Sequence, residues 1–277
     1  MNRIEGRYIS LLTDFGFIRI FGTKPNKDLL INFLNSLFEG SQIIKDVKYL
    51  NSEHVGDVFA ERKPIFDVCC ENEKGGKFIV EMQNASIFPI REQAPKGADW
   101  NFKLDHVYTV ALLNFDLEVE AFDKNDINHD VGLLDKKTHK VFNDKLSFKY
   151  VKIAKFDKTE DELVTLYDKW LYVLKNLSRL DERPAALKEK IFSKLFEEAE
   201  IAKFTPTELK EYEDSLKAYR DIKNSIDTAL EKGREEGRAE SKNLKVIQIA
   251  KKMLAAGMDI DTIINMTDLS KSEIEKL

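Results

Sequence analysis

At 277 residues the chain is too long for one minimal domain and suits one large α/β domain followed by a smaller helical region. Hydrophobic residues make up 43% and aromatics 10%, with 18 Phe against only 12 Gly and 6 Pro, which excludes a mainly disordered chain. A formal net charge of −5 excludes a protein that grips DNA by bulk charge, yet it leaves room for a local basic surface, because phosphate affinity follows clustered Lys and Arg.

Residues 13–40 predict two short helices. TDFGFIRIFG closes on a glycine, and NKDLLINFLNSLFEG puts Leu29, Leu30, Phe33, Leu34 and Leu37 on one stripe before Gly40. IKDVKYLN reads as a connecting strand, and PIFDVCCENEKGGKFIVEMQ as a hairpin around a polar, glycine-bearing turn at 72–76. After an irregular stretch with Pro89, Pro95 and Gly97, HVYTVALLNF is apolar on both faces, as expected of a central strand with helices on both sides of its sheet. LSFKYVKIAKF predicts another strand. TEDELVTLYDKWLYVLKNLSRL predicts one long amphipathic helix with Thr159 and Glu162 in capping-box spacing.

Beyond Arg183 the pattern is helical, with Pro184 and Pro206 at first-turn positions. ALEKGREEGRAE, with Gly233 and Gly237 four apart amid alternating charge, predicts a solvated or self-associating stalk. The end of the chain predicts an amphipathic helix through Leu244, Ile247, Ala250, Met253 and Leu254, a stop at Gly257, a helix near Ile260 and a capping box at Ser270 and Glu273. The expected division is 1–183, 184–243 and 244–277. No apolar run is long enough for a bilayer, and MNRIEGRYISLLTDFG lacks the order of a signal peptide, so the expected location is the cytoplasm, with no membrane partner.

The hairpin carries the chemistry. Pairing across its five-residue loop sets 71 opposite 77, 69 opposite 79 and Asp67 opposite Glu81. Two like charges about 5 Å apart across a sheet are destabilising unless something positive lies between them, and a divalent cation removes the conflict. Mg²⁺, with Mn²⁺ as a substitute, takes oxygen ligands of this kind. Gln83 lies two residues on, where its amide could orient a nucleophilic water. The plainer reading stays open, that both acids are solvent-facing strand residues. Cys69 and Cys70, adjacent and so on opposite faces of a strand, match neither a staple nor zinc spacing and read as structural. His54, His106, His129 and His139 show no ligand spacing.

An acid after an apolar pair, a polar turn and then F-I-V-E-M-Q resembles the PD-(D/E)XK core with its lysine replaced by glutamine, Ile65-Phe66-Asp67 standing at the Pro-Asp position. TDFGF, NKDLLINFLNSL, FPIREQAPKGADWNFKL, VYTVALLNF, VGLLD and DKWLYVLKNL extend the likeness over roughly the first 180 residues to the recombination-promoting nuclease / putative transposase family, whose tail the KGREEGRAE stalk and closing helices also resemble. The resemblance implies a PD-(D/E)XK restriction-endonuclease-like mixed sheet flanked by helices, with an all-helical C-terminal extension. It also implies a metal-dependent DNA endonuclease with Asp67 and Glu81 as ligands and Gln83 at the third motif position. Asp14, at the start of the first helix, is a candidate additional acid, although an Asp there also serves a helix dipole. Arg62 and Lys63, ahead of the catalytic strand, are candidates for phosphate contact, or a solvated strand entry.

Two features depart from the family pattern: the helix expected between Gln83 and the FPI segment is missing, and Ile18 replaces an expected lysine. The alternative function is therefore a catalytically inactive DNA-binding or assembly protein that keeps the nuclease fold. DNA is the expected partner, with a homo-oligomer through the C-terminal helices. For 244–277 the choice lies between a helix-turn-helix reader and a small interaction module. The second is preferred because Glu273 and Glu275 sit beside Lys271 and Lys276.

Overall fold

The computed structural model describes residues 6–49, 68–72, 74–82, 106–115, 119 and 121–277. The chain forms two compact units, Met1–Tyr219 and Arg220–Leu277.

In the first unit Thr13 caps helix α1 (Asp14–Phe21), its side chain accepting from the Gly16 amide at 3.1 Å. A side chain at Gly16 would collide with the Ser10 carbonyl, 2.1 Å from where its Cβ would stand, so the TDFGF motif needs glycine there. Helix α2 (Lys27–Phe38) buries all five members of its predicted stripe and ends at Glu39 and Gly40, both at positive φ.

Six strands are described: β1 (Val47–Tyr49), β2 (Val68–Asn72), β3 (Lys77–Met82), β4 (Val107–Leu113), β5 (Asn128–Leu134) and β6 (Val141–Lys152). They form one sheet in the order β1-β2-β3-β4-β6-β5. β1, β2 and β3 are antiparallel, β3, β4 and β6 run parallel, and β5 returns antiparallel along β6. The sheet is thus mixed, and β4 is buried at every position, as its two-sided apolar run predicts. β5 was not foreseen, and β6 begins at Val141, five residues before LSFKYVKIAKF.

Val68, Cys70, Phe78, Val80, Tyr108, Val110, Leu112 and Val151 face one large core shared with the helices. Its centre is aromatic: Trp170 lies 5.6 Å from Phe21 and from Phe33 and 5.1 Å from Phe192, and its indole N–H donates to Asn32 at 2.8 Å.

The long helix expected over 159–180 is broken. The Thr159/Glu162 capping box forms but opens only a 3₁₀ turn, Glu160–Glu162. A second box, Thr165 with Asp168, starts helix α3 (Leu166–Asn176). Pro184 accepts from the Leu187 amide in a turn rather than opening a helix.

Helix α4 (Lys190–Glu198) turns Phe192, Leu195 and Phe196 into the same core as Trp170. The N-terminal segment ties to it: Ile9 N–H donates to Ala199 O at 3.0 Å, and Ser10 N–H to the Tyr212 hydroxyl at 2.9 Å. Pro206 opens α5 (Pro206–Ala255), a single helix of 50 residues that absorbs both the predicted stalk and the helix after it.

In the second unit α5 ends before Gly257, at φ 78°. Helix α6 (Ile260–Thr267) is capped by Asp259, and α7 (Lys271–Ile274) by the Ser270/Glu273 box. Ala250, Ile263, Leu269 and Ile274 form a small separate core. No described helix is long and apolar enough to cross a membrane.

Candidate nuclease site

The β2–β3 hairpin carries the predicted site positions nearest the described residues. Its turn is pinned by Asn72, a buried residue whose Oδ1 accepts from Lys74 N–H at 3.0 Å and Gly76 N–H at 2.8 Å. Gly75 takes φ 80°, open to glycine at no steric cost. From this turn the ladder runs Glu71↔Lys77, Cys70↔Phe78, Cys69↔Ile79 and Val68↔Val80, the register predicted from the loop length. A one-residue slip would carry Val68, Cys70, Phe78 and Val80 out of the core, so core and turn specify the same register.

Beyond Val80 the backbone of β3 continues through position 81. There Glu81 pairs with Ala111 of β4, Ala111 with Tyr150 of β6, and Tyr150 with His129 of β5. His129 is buried, stacks on Phe122 at 4.0 Å, and its Nε2 has no hydrogen-bond partner among the described residues. One row further, Lys152 pairs with Leu113 and is fully buried, with Nζ donating to Asp123 O at 3.1 Å. Sequence spacing missed this row, because strands joined through crossovers are not neighbours in the chain.

Asp67, Gln83, Arg62 and Lys63 lie outside the described residues, as does 84–105, where the missing helix was expected. Asp14 is exposed in the first turn of α1, beside Phe15, whose N–H donates to Ser215 Oγ at 3.0 Å; the helix dipole suits an acid at that place. Ile18 is half-buried, and its carbonyl takes the Gly22 N–H at 2.7 Å. Among the described residues no three His, Cys, Asp or Glu side chains gather. Cys70 is buried in the core. His106 accepts or donates at Ser147 Oγ, 2.9 Å away, and burial holds its imidazole below the usual value.

In the second unit α6, a short turn at 268–270 and α7 pack on the end of α5. The Thr262 N–H bonds Asp259 Oδ1 at 2.9 Å and the Thr267 hydroxyl bonds Ile263 O at 2.6 Å, so both ends of α6 are satisfied.

A family model described as the C-terminal HTH domain of the Rpn/YhgA-like nuclease family matches residues 243–277, and the preference for a small interaction module there gives way to a helix-turn-helix. No curated relative and no solved structure matches the chain. The model of the PD-(D/E)XK nuclease family transposases matches residues 11–229, which spans the mixed sheet, its flanking helices and the hairpin, and the chain belongs to that family.

Proposed function

We propose that the chain is a metal-dependent DNA endonuclease that hydrolyses phosphodiester bonds during recombination, acting in the cytoplasm. Asp67 and Glu81 hold a divalent cation, Mg²⁺ or Mn²⁺ in its place. The observation that carries this reading is the hairpin register, whose described pairs run from Glu71↔Lys77 to Val68↔Val80, the phase that sets position 67 against position 81. Extended in that phase, the ladder sets two acids face to face, and the donor chemistry fits: two carboxylates offer the oxygen ligands that a hard cation prefers. Ala111 beside Glu81 contributes a buried methyl and no competing charge. A cation bound there supplies Lewis-acid polarisation of the phosphate and a lowered pKa for water.

The chain's own residues do the rest. The Gln83 amide does not titrate, so it accepts a hydrogen bond from the attacking water and aims it rather than taking its proton. Arg62 and Lys63 contact phosphates and hold the backbone in register. The helix-turn-helix at 243–277 brings duplex DNA to the protein.

Supercoiled plasmid tests the proposal. The chain nicks it with Mg²⁺ and not with EDTA, and Glu81→Ala abolishes nicking while leaving a gel shift. A plasmid that the unaltered chain shifts and never nicks would establish the inactive DNA-binding reading.

A further inference from the structure

The sheet ends in an arm. Beyond Gly132↔Ser147 the β5–β6 ladder passes through two irregularities to Leu133↔Asn143 and then Leu134↔Val141, which leaves Phe142 as the extra residue of a bulge. The residues of 132–145 whose side chains are described are all exposed. Four of them are large and apolar: Phe142 is 77% exposed, Val141 65%, Leu134 55% and Leu133 41%, and none belongs to a core cluster. Among the described residues Phe142 packs in no core, and a bulge re-aims a side chain.

The turn says what that is. Residues 132–145 hold four lysines and two aspartates in a chain of net charge −5. Asp135 is engaged by the turn itself, its Oδ1 accepting from Lys137 N–H at 3.1 Å, Thr138 N–H at 2.6 Å and Thr138 Oγ1 at 2.8 Å. Asp144 sits 3.9 Å from Lys145. Lys136, Lys137 and Lys140 enter no ion pair among the described residues and ring the apolar tip. Lysines suit the phosphates of duplex DNA, and an apolar side chain between them suits the thymine methyl groups that the major groove presents. A two-stranded ribbon also has the width that a major groove of about 12 Å admits.

We propose that this arm is a DNA-docking element: the β5–β6 ribbon enters the groove of duplex DNA, Phe142 and Val141 lie against the base edges, and Lys136, Lys137 and Lys140 take the phosphates. The proposal rests on the DNA reading above. A second copy of the chain is the poorer occupant, because an isologous contact would bring the lysines of two tips together.

Binding of the full chain to a fluorescein-labelled generic 30-base-pair duplex, in EDTA so that nothing is cleaved, tests the arm. Replacing Lys136, Lys137 and Lys140 together by Gln is expected to reduce the slope of log affinity against log salt by about 2 to 3. Phe142→Ala is expected to weaken binding roughly tenfold with an unchanged melting temperature, since the ring buries its area only in the complex. Phe142→Trp keeps the affinity, and its indole fluorescence is quenched by the duplex. If the unaltered chain does not bind, the DNA reading fails and the arm with it. If it binds and the variants bind equally well, the arm alone is overturned. Unchanged affinity with a lower mass by light scattering would make the arm a contact between copies, which also overturns the proposal.

Discussion

The Asn72 side chain is the point where turn chemistry becomes site geometry, and Asn72→Ala measures that link. Asn72 is 7% exposed, and its Oδ1 receives two backbone N–H groups, from Lys74 and Gly76. Truncation removes both bonds at about 1 kcal/mol each, so the expected loss is roughly 2 kcal/mol. In a unit of this size each kcal/mol moves the thermal midpoint by about 2–4 °C, and the expected fall is about 4–8 °C. Asn72→Asp keeps the acceptor and is expected to lose less than half as much. Because the same turn fixes Glu71↔Lys77 and every pair after it, calorimetric titration with Mn²⁺ is expected to show weaker binding by Asn72→Ala and near-parental binding by Asn72→Asp. A midpoint within 1 °C of the parent would refute the claim that Asn72 pins the turn. A large fall with full Mn²⁺ affinity would show that register does not set the site.

Three further outcomes are expected. Asp67→Ala and Glu81→Ala each abolish Mn²⁺ binding in the same titration and stabilise the metal-free fold by roughly 0.2–1 kcal/mol, as removal of a like-charge pair should; Asp14→Ala run alongside decides whether that acid is a ligand. For Asp168, burial pushes the carboxyl upward, but the Lys158 ammonium at 2.6 Å and the Thr165 N–H at 3.0 Å outweigh it and hold the pKa below the ordinary carboxylate value. A depressed folded pKa contributes stability above the unfolded value of about 4, lost as pH falls through the folded one, so the gap in melting temperature between the parent and Asp168→Asn is expected to close from pH 6 to pH 3; a constant gap would count against it. Truncation after Asn224 is expected to shift the mass by light scattering towards monomer, since Ile226, Leu230, Gly233 and Gly237 recur at helical spacing along a stretch of α5 that is almost wholly exposed, and an unchanged mass would contradict this.

What sequence makes legible depends on how far along the chain the deciding contact lies. The stripe of α2, the 72–76 turn and the cap at Ser270 are settled within a few residues, and each forms as its spacing predicts. The helix over 159–180 is broken locally: both capping boxes form, the first opening a 3₁₀ turn and the second α3, with Asp168 also paired to Lys158. β5 is a different kind of miss. NHDVGLL buries only His129 and shows little alternation, so its strand character comes from pairing with β6, which the chain reaches only after the arm.

The same divide runs through the site. The pairs from Glu71↔Lys77 to Val68↔Val80 follow from a local turn, which is why the register of the hairpin could be read from sequence. Ala111, Tyr150 and His129 reach the row of Glu81 only through the parallel pairings of β3, β4 and β6, and parallel strands require crossovers of a dozen residues or more. Among the described residues that register is supported by core packing, Phe78 stacked on Tyr108 at 4.9 Å and Phe38 edge-on to both. The hairpin ladder and the β3–β4–β6 row are therefore supported by different contacts. Loosening the turn at Asn72 should disturb the acid pair while leaving the Glu81↔Ala111 row in place, whereas thinning the aromatic packing at Phe38 should shift that row without breaking the pair.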